Sequence, residues 1–284
     1  MKDYLSLIKF SHTIFALPFA IIGFFLAVFV HGYELNWTIF FLMILCMVFA
    51  RSAAMAFNRY IDRDIDVKNP RTAIREIPAG TIAAKKALWF VVLNAALFIT
   101  CTFFINPLCF YLSPVALLVV LGYSYTKRFT ALCHLVLGLG LALAPIGAYL
   151  AVSGQFHWLS IFFSLIVFLW VSGFDIIYAL QDADFDKSND LHSIPSTLGI
   201  KDALKVSVLI HLLCALLVIA AGFYAQFQMF YWIGALAFIA LLTYQHTLVK
   251  PNDLSKVNIA FFTSNGVASI VFAIFVLLEL IVIL

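Results

Sequence analysis

Two acid ladders, Asn58-Asp62-Asp66 and Asp182-Asp186-Asp190, each climb in steps of four residues. A step of four advances an α-helix by little more than one turn, so each ladder falls along one helix face and presents its oxygens as a wall. Facing carboxylates repel by roughly 3 kcal/mol per pair at ~6 Å and an effective dielectric of ~20, so two such walls invite a divalent cation. Mg²⁺ takes oxygen ligands from a few carboxylates and keeps waters that phosphate oxygens can replace. The chemistry indicated is that of a metal and a diphosphate. Seven residues before each ladder stands another charge, Arg51 before Asn58 and Asp175 before Asp182. Two helical turns put these ~10 Å deeper on the same faces, where a charge needs a partner or a watery cavity. An Arg51–Asp175 contact at a pocket floor is the natural expectation, and the echo suggests a duplicated half.

The elements carrying these ladders are apolar. Residues of hydrophobic type make up 64% of the chain, charged residues only 11%, and 30 of the 284 residues are Phe, which excludes an ordinary soluble domain. A net charge of +3 is too small to argue for nucleic acid. The five cysteines form no CxxC pair and lie in apolar runs, so they read as small buried hydrophobes. The first apolar run has no small-residue cleavage site and reads as a retained helix.

Because about 20 apolar residues cross a hydrocarbon core, the charge-free stretches can be counted. Phe10 to Tyr33 is the first and Leu35 to Phe57 the second. Ala87 to Thr126 divides at Asn106-Pro107, Phe129 to Phe174 at Ser153-Gly154, and Val206 to Val249 near Gln226 to Gln228. Val257 to Leu278 completes nine spans, an all-α integral membrane fold in one polytopic domain, 1–284. Apart from Arg51, lysine and arginine fall at the N-terminus, in 59–86, 127–128, 187–205 and 250–256, which are alternate connections. The excess of such residues in cytoplasmic loops puts the N-terminus and both ladders on the cytosolic face of a cell's inner membrane.

Asn58-Arg59-Tyr60-Ile61-Asp62-Arg63-Asp64-Ile65-Asp66, with Pro70-Arg71-Thr72-Ala73-Ile74-Arg75-Glu76-Ile77-Pro78-Ala79-Gly80 after it, resembles the first signature of the UbiA superfamily of membrane prenyltransferases, NxxxDxxxD with an RTxxRxxPxG-like loop. Asp175 to Asp186 looks like the second, DxxYAxxDxxxD, and Tyr123-Ser124-Tyr125-Thr126-Lys127-Arg128 is similar to a YPxxKR stretch, with Ser124 where proline is usual. The resemblance covers essentially the whole chain and is best to the aromatic-acid branch. It implies Mg²⁺-dependent transfer of a polyprenyl group from a polyprenyl diphosphate to an aromatic acid of the 4-hydroxybenzoate kind in quinone synthesis. A hydroxynaphthoate of menaquinone synthesis is the alternative acceptor, and membrane lipid is the surrounding partner.

On this reading Asn58, Asp62, Asp66, Asp182 and Asp186 are the metal-site candidates, for two ions bridged by the diphosphate, and the four aspartates with Tyr178 are the catalytic set. Arg71, Lys127 and Arg128, with Lys68, Arg75 and Lys187, are candidates for the cations that stabilise the leaving diphosphate. Tyr123 and Tyr178 offer faces to an allylic cation, and Arg51 and Asp175 belong to the acceptor pocket. Lysines at helix ends also serve as topology determinants, which competes with a site role for Lys68 and Lys187. Asp64, Asp184 and Asp190 read as solvated; His134, His211 and His246 have no metal-like spacing and read as structural. The rival of another class is an ion-coupled transporter, whose acids belong near the midplane rather than at one end of the spans.

Overall fold

The computed structural model describes residues 2–8 and 15–282, and within them the chain is helical with no β-strand. A short α1 (Lys2–Leu7) precedes α2 (Leu17–Phe25), which widens into a π-turn over Leu26–Val30. Then come α3 (Trp37–Ile61), α4 (Arg63–Asp66), α5 (Ala84–Ile105), α6 (Pro107–Thr126), α7 (Cys133–Ser153) and α8 (Trp158–Ala179). After a 3₁₀ turn at Leu180–Asp182 follow α9 (Ala183–Ser188), α10 (Ile194–Leu198), α11 (Ile200–Tyr224) and α12 (Met229–Leu248). A π-turn at Ile259–Ser264 leads into α13 (Asn265–Val282). Among the described residues eight helical stretches are long and apolar enough to cross a membrane, and Leu17–Val30 is a shorter apolar stretch. The expected beginning of the first span at Phe10, and His12 within it, lie outside the described residues.

The breaks fall where the local chemistry asks for them. Asn106 accepts the Cys109 N–H at 2.9 Å and Pro107 follows at the first helical position, a strong start for α6. Gly154, at φ +65°, ends α7 in the left-handed region that a glycine enters without strain. The buried Glu279 side chain of α13 accepts the backbone N–H groups of Gln228 and Tyr231 with its two oxygens, capping the start of α12.

In lipid, helices gain little from hydrophobic exclusion, so close backbone approach and interhelical hydrogen bonds hold the bundle. Helix α8 is the most enclosed of the long spans, packed against α7 and α11. A Cβ on Gly138 of α7 would lie 2.3 Å from Ser172 Oγ and 2.5 Å from the Phe168 carbonyl oxygen, so that contact requires glycine. Trp170, fully buried, donates from Nε1 to Asn265 Oδ1 at 2.7 Å, while Asn265 Nδ2 donates to the carbonyls of Ala260 and Phe261 at 2.9 Å each. One side chain thus donates to two carbonyls of the π-turn and ties that turn to α8.

Candidate active site

Both ladders ride on broken helices. The first leaves α3 at Ile61, passes Asp62 at φ −88°, ψ 2°, and resumes as α4; the second leaves α8 at Ala179 and passes the 3₁₀ turn before α9. This corrects the expectation of a continuous helical face. The alignment survives nonetheless, because the Asp62 N–H still bonds the Asn58 carbonyl at 2.9 Å and the Asp66 N–H the Asp62 carbonyl at 2.7 Å. Asp62, Asp66 and Asp182 line one cavity of about 180 Å³, and Asp186 is bonded to two residues of its wall.

Each of the four aspartates holds a cation. Arg128 Nη2 lies 2.9 Å from Asp62 Oδ1, Arg75 Nη1 2.7 Å from Asp66 Oδ1, and Lys127 Nζ 2.6 Å from Asp186 Oδ1. Arg71 grips Asp182 with both edges of its fork, Nε to Oδ1 at 3.0 Å and Nη2 to Oδ2, and its Nη1 donates to the Tyr178 hydroxyl at 3.0 Å. Such bidentate pairing fixes orientation as well as charge. The guanidinium also lies over the Tyr178 ring, 5.4 Å from its centroid, and that ring stacks on Phe261 of the π-turn at 4.1 Å. Burial pushes the Asp62 carboxyl above its ordinary range while Arg128 holds it back. Asn58 Nδ2 donates to the second oxygen of Asp62 at 2.9 Å.

Not every candidate gathers here. Lys68 and Lys187 are exposed and lie outside the cavity wall, so neither is placed against the acids. The Arg51–Asp175 contact does not form: Asp175 lines the cavity but bonds His134 Nδ1 at 2.7 Å, and Arg51 is not in the wall. Tyr123 and Tyr178 do line it, and Asp64, Asp184 and Asp190 are exposed. Three polar wall residues that contact the acids escaped the sequence reading. Asn69 donates to Asp182 at 3.1 Å, Ser193 donates to Asp186 at 3.0 Å, and His134, expected to be structural, lies in the wall. Asn69 stands beside Pro70 in the motif loop and could have been suspected; nothing in the sequence around His134 or Ser193 signals a site.

The donor set fits a hard cation. All the acidic atoms are oxygens, and Asp66 Oδ2 is buried with no hydrogen-bond partner among the described residues, a position that costs free energy unless a cation or water meets it. Among the described residues no three acidic, histidine or cysteine side chains converge on one point, because the arginines and the lysine stand between the carboxylates. One space therefore holds two complementary sets of side chains, acids of the kind that suit a metal and bases of the kind that suit a polyanion.

Fold and site together define a multi-pass helical membrane protein whose bundle opens on a cavity of alternating acids and bases. Residues 16–266 match the UbiA prenyltransferase family. Over 241 residues the chain is 31% identical to the 4-hydroxybenzoate octaprenyltransferase of Aliivibrio fischeri strain MJ11, covering 84% of this chain and 82% of that one. A relative of the same name from Vibrio campbellii is 30% identical over 237 residues, 83% of each. The structure superposes on that of a UbiA homolog from Aeropyrum pernix K1 with a TM-score of 0.85, at 30% identity over 94% of this chain and 98% of that one. It also superposes on a UbiA homolog from Archaeoglobus fulgidus bound to DMAPP and Mg²⁺, with a TM-score of 0.78 at 21% identity over 99% of each chain. The chain belongs to the UbiA prenyltransferase family, and is an enzyme of prenyl transfer.

Proposed function

We propose that this enzyme moves a polyprenyl group from a polyprenyl diphosphate onto a ring carbon of an aromatic acid of the 4-hydroxybenzoate type, with Mg²⁺, in quinone synthesis. The observation that carries the reading is the one-to-one pairing of Asp62, Asp66, Asp182 and Asp186 with Arg128, Arg75, Arg71 and Lys127 around a single cavity. The names of the relatives at about 30% identity favour a benzoate over a naphthoate acceptor. The position of the acids past the ends of α3 and α8 speaks against an ion-coupled transporter.

Asn58, Asp62 and Asp66 on one wall and Asp182 and Asp186 on the other are the residues that would hold Mg²⁺, two walls suggesting two ions. When bound, the metal supplies positive charge that stabilises the departing diphosphate. Arg71, Arg75, Lys127 and Arg128 bind diphosphate oxygens and hold them in line for departure. The allylic C–O bond breaks with its electron pair on the diphosphate, and the Tyr178 and Tyr123 rings face the carbon that becomes electron-poor. An acceptor ring carbon then forms the new C–C bond and loses its proton. The 67–83 loop and the segment after Asp186 cover the site and exclude the water that would otherwise capture the cation. We read the architecture as one polytopic domain over 1–284, with nine spans in two related halves and the N-terminus and cavity on the cytosolic side of the cell membrane.

The test is mass spectrometry of products formed by membranes containing the protein, given 4-hydroxybenzoate and 1,4-dihydroxy-2-naphthoate together with prenyl diphosphates of several lengths and Mg²⁺. Prenylated hydroxybenzoate is the expected product. Prenylated naphthoate alone would move the enzyme to the other acceptor, and wild-type rates from the Asp62→Ala and Asp182→Ala variants would remove the acids from the mechanism.

A further inference from the structure

Deep in the cavity lies a side chain to which metal and diphosphate assign no task. His134 of α7 is 2% exposed, its Nδ1 is 2.7 Å from Asp175 Oδ2, and its Nε2 lies 3.3 Å from the backbone nitrogen of Ile194. A backbone N–H can only donate, so Nε2 accepts, and the ring carries its proton on Nδ1, which donates a hydrogen bond to Asp175. The ring is thereby locked in one tautomer, held at both ends.

Those ends belong to different parts of the site. Asp175 shares the cavity wall with Tyr123 and Tyr178; its side chain is 20% exposed, and its second oxygen makes no hydrogen bond among the described residues. Ile194 follows Ser193, whose hydroxyl donates to Asp186 Oδ2 at 3.0 Å. The strap 191–194 therefore joins the second acid wall to the ring, and the ring to Asp175. Packing alone does not call for this arrangement, since an apolar side chain would fill the volume without the desolvation that a buried imidazole must recover through hydrogen bonds.

We propose that His134 is a positioning residue for the aromatic acceptor. Braced by the Ile194 N–H, it turns Asp175 so that the free carboxylate oxygen accepts the acceptor's hydroxyl, a hydrogen bond that enriches the ring in electron density where it attacks. The inference rests on the aromatic-transfer reading above.

Two isosteres separate the two ends of the ring. The amide nitrogen of an Asn side chain stands where Nδ1 stands and can still donate to Asp175; the longer Gln reaches the Nε2 position and can still accept from Ile194. The measurement is KM for 4-hydroxybenzoate and, separately, for geranyl diphosphate, in purified enzyme with saturating Mg²⁺. His134→Gln should raise the acceptor KM by about tenfold or more, the scale of one hydrogen bond to a charged group, with the donor KM unchanged. His134→Asn should stay within about threefold of wild type, since it keeps that bond. Equal losses in both variants, or acceptor and donor KM rising together, would overturn the positioning role. Should the Gln variant fail to accumulate, His134→Leu carries the test: it fills much of the volume of the ring and lacks the donor to Asp175. Its expected signature is the same acceptor-selective rise, and an unchanged acceptor KM overturns the proposal. A wild-type enzyme that prenylates no aromatic acid would instead sink the functional reading itself, a failure visible before any variant is made.

Discussion

At the scale of residues, the cavity is governed by who neutralises whom. Asp186 is fully buried and its charge rests on Lys127 and the Ser193 hydroxyl. Lys127→Met would leave that carboxylate with one neutral donor, at a cost of about 1–3 kcal/mol, the lower part of the range applying because the lysine is itself partly solvated. A thermal midpoint in detergent several degrees below wild type without Mg²⁺ is expected; an unchanged midpoint would show that Asp186 does not depend on the pair. Arg128 acts on Asp62 in the other direction. Burial raises that carboxyl and Arg128 opposes the rise, so Arg128→Met leaves the raising influence alone and the carboxyl takes its proton at a higher pH. Since metal binding needs the ionised form, the acid limb of the kcat/KM profile should move to higher pH in the variant. A limb that stays put or moves to lower pH contradicts this account. Arg71→Lys keeps a charge but forfeits the fork on Asp182 and the Tyr178 contact. Turnover with geranyl diphosphate should fall by roughly tenfold to a hundredfold, the scale of one or two charge-assisted hydrogen bonds, and wild-type turnover would deny the fork a role.

At the scale of elements, the four-residue spacing of the acids announced which oxygens of the first ladder would line up, because hydrogen bonds between residues four apart persist through its break; across the second break the bonds shown tighten to three apart, Leu180 N–H to the Ile177 carbonyl and Ala183 N–H to the Leu180 carbonyl. The breaks themselves were not legible, since Asp62 and the Leu180–Asp182 turn occupy backbone conformations that any of these residue types adopts. The four paired cations could be named from motif and helix-end position, but Lys68 and Lys187 could not be told from them: sequence gives a residue's place on the chain and not its side chain's direction. His134 stayed hidden because its partner is 41 residues away on the neighbouring helix. The turns at Asn106-Pro107 and Gly154 were legible because their chemistry is local. A different element sets the depth of the aromatic wall. The π-turn brings Phe261 under Tyr178, and Asn265 donates to two carbonyls of that turn while bonding Trp170. Asn265→Leu leaves the Trp170 N–H without its acceptor in an apolar interior and takes a side-chain donor from two carbonyls, a loss of about 2–4 kcal/mol. It should lower the thermal midpoint and also slow turnover through the Tyr178 wall; a variant as stable and as fast as wild type would show that the turn holds itself.

At the scale of the whole molecule, charge asymmetry and span count constrain one another. The connections at the cavity end, among them 67–83 and 187–193, carry lysines and arginines, whereas those at the other end, 31–36, 154–157 and 225–228, carry none. The proposed cytosolic orientation, which basic loops favour, would put the cavity where a water-soluble aromatic acid and a diphosphate can reach it, with a prenyl tail left in the bilayer. Eight helices qualify as spans by length, and the fourteen-residue stretch Leu17–Val30 decides parity. If it crosses together with the residues before it, the two ends of the chain lie on opposite sides; if it does not, they lie on the same side. Reporter fusions at residue 284 separate these arrangements. Nine spans with a cytosolic N-terminus require active alkaline phosphatase and dark green fluorescent protein in bacterial cells, because the first folds only outside the cytosol and the second only within it. A bright fluorescent fusion with silent phosphatase would return the C-terminus to the cytosol and reduce the crossing helices to an even number. The acids and bases would keep their cavity in either case, because the distances that build it run among Asp62 after α3, α4 and the loop after it, the Lys127-Arg128 pair after α6, the 3₁₀ turn after α8, and α9, none of which involves Leu17–Val30.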